Sequence, residues 1–368
     1  MKILYITPKI NNEGGAARVM AVKANYLCDK LGYTIQIATQ NEGNANPFYD
    51  FHPSIHLHDI TLNGTGISFL YQYKKQIENL IKTIDPEVVV LSDFGWKAFF
   101  FPFIIKTTKP VLFEVHASKY NEPIEFNPNA FNRIAHRLKY AFRNYSIKKF
   151  DKFIVLSKQA LAEWDPSRKG VVIPNPLWLS NPPIASLESQ KVIVAARYSY
   201  EKGIDRLLHI WQQVQMKYPN WTLEIYGKTK EALPLEALAQ KLNLGTSVRF
   251  LPPAKNIEEH YKEASIYAMT SRSEAFAMVV LEAMSCGLPV VSFDCPVGPR
   301  SLIQDKVNGF LIEDGDANAF ANQLMALMEN KGLRQEIGEQ AQKIKEQYEL
   351  ETVMKQWDEL LRQYKKEA

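Results

Sequence analysis

Residues 273–282 read SEAFAMVVLE, so Glu274 and Glu282 bound an almost wholly apolar run. A lone buried carboxylate is costly, so two acids placed this way either face solvent or line a site that uses them. The run continues to AMSCGLPVV, where Gly287 suits the end of a helix and Pro289 prevents its continuation. This predicts a helix over 276–285 with Glu274 in the loop before it. The amides of Phe276, Ala277, Met278 and Val279 would then open the helix, where free N–H groups suit phosphate or sugar oxygens. Glu282 falls about two turns further in, among apolar neighbours, and vicinal hydroxyls would supply the donors its carboxylate wants.

Three other loops carry groups of matching chemistry. In AARYSYEKGID, 195–205, Arg197 and Lys202 flank a turn and Gly203 opens a helix. Two cations beside a helix start can clamp a diphosphate, Arg through its planar fork and Lys as a point charge. Taken alone, the same stretch reads equally well as a solvated charged loop. In TPKINNEGGAARVM, 7–20, Gly14 and Gly15 stand between a strand and a helix beginning near Ala16, with Arg18 in its first turn. Glycines there let an anion reach the helix amides, although such a pair is also an ordinary turn. In FEVHASKY, 113–120, His116 directly follows a strand, a place where a lone His is more often structural than catalytic. Neither G-x-G-x-x-G nor G-x-x-x-x-G-K-[ST] occurs, which argues against a dinucleotide fingerprint or a P-loop.

The elements that must position these loops alternate in type. Strand-like runs at 2–7, 33–39, 87–91, 110–115 and 151–156 are separated by helical patterns near 16–31, 67–84 and 130–149. Continuous runs such as VVV suit strands buried on both faces of a parallel sheet. Residues 176–190 are proline-rich and aperiodic and read as a linker. The alternation then restarts: strands at 191–196, 222–226, 247–250, 265–270 and 289–293, and helices at 203–217, 234–243, 257–263, 276–285, 317–328 and 332–346. The fold class is therefore α/β, with two doubly wound, Rossmann-like domains over 1–175 and 191–349 and a cleft between them. The amphipathic helix in 350–368 closes the chain and is expected to pack back on the first domain.

A length of 368 residues suits two cores of ordinary size. The net charge of +4 gives no sign of nucleic-acid binding. Cys28, Cys286 and Cys295 form no C-x-x-C pair; they fit a reducing compartment and read as small core residues. The opening MKILYITPKI is strand-like with no charged leader, and the apolar FFFPFII at 99–105 is too short to span a bilayer. The expected location is cytoplasmic, with any membrane touched from its inner face.

Together, E274-AFAMVVL-E282, R197-YSYE-K202-G and the N-terminal GGA, each after a strand, resemble the retaining family 4 glycosyltransferases. The resemblance covers the whole chain, is strongest over 191–312, and extends to members that build bacterial polysaccharides and lipid-linked glycans. It implies the GT-B arrangement and a nucleotide-sugar donor, with UDP foremost. It implies that Glu274 binds a donor-sugar hydroxyl, Glu282 the ribose, and Arg197 and Lys202 the diphosphate, helped by the amides of Met278 and Val279. Gly15 would approach the phosphates, His116 the sugar near its reacting carbon, and the base would lie near Gly227, Pro253 and Ala254. It further implies retention of configuration, with the leaving phosphate helping to deprotonate the acceptor, and no metal or other cofactor. The chain departs from the family pattern at Ala275, usually glycine there, at Ala277, often glycine or proline, and at Ser301, where polysaccharide-building members usually carry an acid. The Asp-x-Asp in EDGDAN, 313–318, reads as a helix cap through Asp316 rather than as a metal site.

The segment 131–149 carries Ile134, Leu138, Ala141, Phe142 and Tyr145 at helical spacing, with Arg133, Arg137, Lys139, Arg143 and Lys148 mostly on other faces. It could meet anionic lipid headgroups, or be a packed surface helix with solvated charges. The expected partners are a nucleotide sugar and a glycan or lipid-linked glycan acceptor, with no nucleic acid. Two other readings stay open: a UDP-sugar 2-epimerase on the same architecture, and a non-catalytic partner of another transferase.

Overall fold

Val88, Val89, Val90 and Leu91 have no exposed surface, as a strand covered on both faces requires. They lie mid-sheet in the computed structural model, which describes residues 1–120, 130–164, 169–228 and 234–365. The first sheet is parallel and ordered β3-β2-β1-β4-β5-β6-β7. Its strands are β1 (Lys2–Ile6), β2 (Thr34–Gln40), β3 (His56–Ile60), β4 (Val88–Ser92), β5 (Val111–Glu114), β6 (Lys152–Val155) and β7 (Gly170–Val172). Helices α1 (Gly15–Asp29), α2 (Gly66–Ile84), α3 (Trp96–Ile104), α4 (Ala130–Ile147) and α5 (Lys158–Trp164) alternate with them.

The second sheet is also parallel, in the order β10-β9-β8-β11-β12-β13. It comprises β8 (Lys191–Ala195), β9 (Thr222–Tyr226), β10 (Val248–Leu251), β11 (Ile266–Met269), β12 (Val290–Phe293) and β13 (Phe310–Ile312). Helices α6 (Ile204–Lys217), α7 (Leu235–Lys241), α8 (Ile257–Lys262), α9 (Met278–Ser285), α10 (Ala317–Glu329), α11 (Lys331–Gln342) and α12 (Ile344–Tyr348) belong with it. Both sheets are thus Rossmann-like and doubly wound. The strand order reverses between β1 and β4 in one and between β8 and β11 in the other. Such switch points are where open parallel sheets bind ligands, beyond the carboxyl ends of the strands.

By compactness the chain divides into Met1–Trp178 with Leu350–Ala368, and Leu179–Glu349. The final helix, α13 (Leu350–Arg362), places Val353, Met354, Trp357, Leu360 and Leu361 in the core of the first unit. Burying each is worth roughly 1.5–3 kcal/mol, which fastens the chain end to β1 and α1. Tyr33 adds a hydrogen bond from its hydroxyl to Asp358. Residues 179–190, read in sequence as part of a linker, lie with the second unit: the Ala185 amide donates to the Cys286 carbonyl at 2.8 Å.

The structure also adds elements that periodicity passed over. The strands β3, β7 and β13 and the helices α3 and α5 are short, and α3 contains Pro102. The expected helix over 332–346 is broken at Lys343 into α11 and α12.

Candidate active site

The loops after β8 and β11 meet at the switch point of the second sheet. Gly203 makes that possible. Its φ is +63°, and a Cβ there would lie 2.0 Å from the Thr270 carbonyl oxygen. Arg272 fastens the two loops. It donates 2.9 and 2.6 Å hydrogen bonds to the two carboxylate oxygens of Asp205, and one of 2.7 Å to the Tyr200 carbonyl. Its guanidinium also lies over the Tyr200 ring, 4.1 Å from the centroid.

This stapling sets Lys202 against Glu274. The Lys202 ammonium donates to Glu274 Oε1 at 2.7 Å, and Ser271 Oγ donates to the same oxygen at 2.8 Å. Gly298 packs on the backbone of Glu274, its amide 3.0 Å from the Glu274 carbonyl. A Cβ at Gly298 would come within 2.5 Å of the Glu274 Cβ, so only glycine lets the two backbones approach. Arg197 is half exposed and pairs with Glu201 at 3.2 Å rather than with Glu274.

Glu282 sits in α9, almost completely buried. Both glutamates act on one group, the Tyr267 phenol of β11. Burial raises its pKa most, and the negative charges of Glu274 and Glu282 raise it further. The two acids that bound the apolar run are therefore both within electrostatic reach of this buried ring. Tyr267 donates to the Ala195 carbonyl at 3.4 Å, at the end of β8.

The helix after Glu274 starts two residues later than expected. Ala277 has φ +58° and ψ +58°, so it turns the chain and acts as the N-cap; α9 begins at Met278. Phe276 is buried outside the helix, and its amide does not open it. The Val280 and Leu281 amides bond the Ala277 carbonyl, which leaves Met278 and Val279 as the first residues of the turn. Gly227 follows β9, where a Cβ would lie 1.9 Å from the Ala196 carbonyl oxygen. Pro253 and Ala254 lie in the loop after β10, Pro253 exposed and Ala254 half-buried.

Asp316 is the N-cap of α10, accepting from the Ala319 amide at 2.9 Å, and Asp314 pairs with Arg206 at 2.5 Å. Among the described residues no group of three or more His, Cys, Asp or Glu side chains is gathered as for a metal ion. Ser301 donates to the Gly298 carbonyl at 2.5 Å, within the turn that carries Gly298.

In the first unit, Gly14 caps α1, and its amide donates a hydrogen bond to Asn12 Oδ1 at 2.9 Å. Gly15 is exposed, with open space around its α-carbon. Arg18 lies between two rings, 4.0 Å from the centroid of Trp178 and 4.9 Å from that of Tyr49. His116 Nε2 is 3.1 Å from Glu114 Oε1. Arg143, expected among solvated charges, is instead buried against the rings of Phe94 and Phe99. Ile134, Leu138 and Tyr145 are exposed on α4, as are Trp96 and Phe103 on α3. Among the described residues no helix is long and apolar enough to cross a membrane. Cys286 and Cys295 are core residues as expected, but Cys28 is only partly buried, 2.8 Å from Ser54 Oγ.

Residues 181–344, which contain all of the loop geometry above from Arg197 to Ser301, match the family described as Glycosyl transferases group 1. The second unit is a group 1 glycosyl transferase domain. The likeness to known proteins extends to both units. The chain is 28% identical to an uncharacterized glycosyltransferase of Haemophilus influenzae, over 98% of this chain and 99% of that one. It is 32% identical to the amylovoran biosynthesis glycosyltransferase AmsD of Erwinia amylovora, over about half of each chain (47% and 48%). The crystal structure of Anabaena HepE in complex with UDP superposes with a TM-score of 0.79 at 19% identity, covering 99% of this chain and 100% of that one. At that identity the match speaks for the fold, which is GT-B.

Proposed function

We propose that this glycosyltransferase moves a sugar from a UDP-sugar to a glycan or lipid-linked glycan acceptor, with retention of configuration. The observation that carries the reading is the Lys202–Glu274 contact at 2.7 Å, beside the first turn of α9 and at the switch point of the second sheet. A diphosphate beside Lys202 competes with Glu274 for the ammonium, and a sugar hydroxyl competes with the ammonium for Glu274. Donor binding thus exchanges one ion pair for two productive contacts. Arg197 leaves Glu201 for the diphosphate in the same way, and the Met278 and Val279 amides add the partial positive charge of a helix start. As the glycosidic bond breaks, negative charge gathers on the leaving phosphate, and these groups stabilise it more than they stabilise the intact donor. Glu282 takes the ribose hydroxyls, Gly14 and Gly15 admit the phosphates, and His116 meets the sugar. No metal is required by this assignment, because the cations are side chains.

HepE, a GT-B relative by fold, was crystallised with UDP, and AmsD is named for polysaccharide synthesis; both support the donor and acceptor classes proposed here. The exposed Trp96, Phe103, Ile134, Leu138 and Tyr145, together with the cations of α4, support a peripheral contact at the inner face of the cytoplasmic membrane. Sedimentation with vesicles containing an anionic lipid tests this: Leu138→Glu should weaken binding, and equal binding by both proteins would remove the membrane from the proposal.

A thermal-shift panel of UDP, GDP, ADP and NAD tests the donor. A ligand at about 100 times its Kd adds roughly 2.7 kcal/mol. Selective stabilisation by UDP, lost in Glu282→Ala, is expected. A response to GDP or ADP alone would replace the donor, and a response to NAD alone would overturn the transferase reading.

A further inference from the structure

His116 is the outer member of a buried chain whose other groups the reaction as described does not use. Glu114, the last residue of β5, and Lys23, on α1, each have side chains only 1% exposed and form an ion pair. The same carboxylate oxygen, Oε1, lies 3.1 Å from His116 Nε2. The Lys23 ammonium sits 3.8 Å from the centroid of the Trp357 ring on α13 and 5.8 Å from that of Tyr5 on β1. Trp357 covers the ammonium with a π face, an arrangement that is attractive and keeps water from replacing Glu114. Burial alone would raise the Glu114 carboxyl, but Lys23 and His116 carry it down to about 2. An ionised carboxylate only accepts hydrogen bonds, so Nε2 of His116 must hold a hydrogen, and whenever the ring is neutral Nδ1 is an acceptor.

We propose that Lys23, Glu114 and Trp357 are positioning residues that hold His116 in its Nε2-protonated tautomer, so that Nδ1 accepts a hydrogen bond from a hydroxyl of the donor sugar. The second half of this statement rests on the proposed role of His116 in the transferase site; the first half does not. A chain end that follows the nucleotide-binding unit in sequence thereby helps to aim a side chain of the first unit.

The test begins with the wild-type full chain labelled with ¹⁵N-histidine. Long-range proton–nitrogen correlation spectra identify the tautomer of His116, and His116→Asn assigns its signals. A single Nε2–H tautomer is expected; an Nδ1–H form, or an even mixture, overturns the relay without any reference to turnover. In Glu114→Gln, which keeps the side-chain shape, the tautomer should become mixed or reversed. Its kcat should fall on the order of 10²-fold through loss of aim, with the KM for the donor changing less. Trp357→Phe should retain the wild-type tautomer and rate, whereas Trp357→Leu should lose part of both. A folded Glu114→Gln protein with wild-type kcat overturns the role in transfer. Failure of the transferase reading itself would be seen separately, in the nucleotide panel.

Discussion

Lys202 and Glu274 stand 72 positions apart in sequence, yet their charged ends meet at 2.7 Å. The contact exists because Gly203 lets the loop after β8 touch the end of β11, and because Arg272 ties the two loops together. A cation and an anion held side by side can each be drawn onto a different part of one ligand, which is what a nucleotide sugar offers. Lys202→Ala should therefore lower kcat/KM on the order of 10²–10³-fold, the usual scale for losing one transition-state donor. The far-UV circular dichroism should be unchanged. Transfer near the wild-type rate in the folded variant would remove Lys202 from the clamp.

Gly298 was not singled out by spacing, but it holds Glu274 in place. In Gly298→Ala the added Cβ meets the Glu274 Cβ at 2.5 Å, and the neighbouring contact is backbone, so Glu274 must shift. The expected result is a loss of about 1–3 kcal/mol in stability from overpacking and a fall in kcat/KM on the order of 10²-fold from misplacement. Chemical denaturation and steady-state kinetics on the same preparation check both; a variant with wild-type kcat/KM would show that Glu274 tolerates displacement.

Ala277 occupies the left-handed region at φ +58°. An L-residue with a Cβ pays about 1–2 kcal/mol there, whereas glycine does not. Ala277→Gly should accordingly raise Tm by a few degrees and leave the path of the loop unchanged. Differential scanning calorimetry decides it, and a lower Tm would mean that the buried methyl group contributes more packing than the backbone strain removes.

The Lys23–Glu114 pair makes a pH prediction. The folded Glu114 carboxyl titrates at about 2, below its ordinary 4.5. As pH falls, the unfolded chain therefore takes up this proton first. The stabilisation is fully present above about pH 4.5 and is lost as pH falls from there through about 2. Burial lowers the pKa of Lys23 from its ordinary value. Lys23→Met leaves the carboxylate buried without its main cation and should destabilise the first unit by about 3–5 kcal/mol. The loss of its stability between about pH 4.5 and 2 should be shallower than the wild type's, because burial without Lys23 raises the carboxyl, as followed by denaturation at several pH values with tryptophan fluorescence. An unchanged pH dependence would show that His116 suffices as the partner of Glu114.

By itself, the sequence determined the alternation of strands and helices, the two parallel sheets, the loops that carry Arg197, Lys202 and Glu274, and the helix that carries Glu282. It could do so because these depend on local rules: continuous apolar runs for buried strands, glycine and proline at helix ends, and polar residues directly after strands. Asp316 was legible as a cap for the same reason. Short edge elements were not legible. β3, HLHDI, is partly exposed and β13 has only three residues, so neither carries enough periodicity to stand out. The start of α9 was misplaced because the left-handed turn at Ala277 is not a preference of alanine; its surroundings impose it. Only the tertiary structure decided which charges meet. Lys202 with Glu274, Arg272 with Asp205, Gly298 against Glu274, and Trp357 over Lys23 all join residues far apart in the chain. Such pairings depend on strand order and on where each loop returns, and a one-dimensional pattern does not contain that distance.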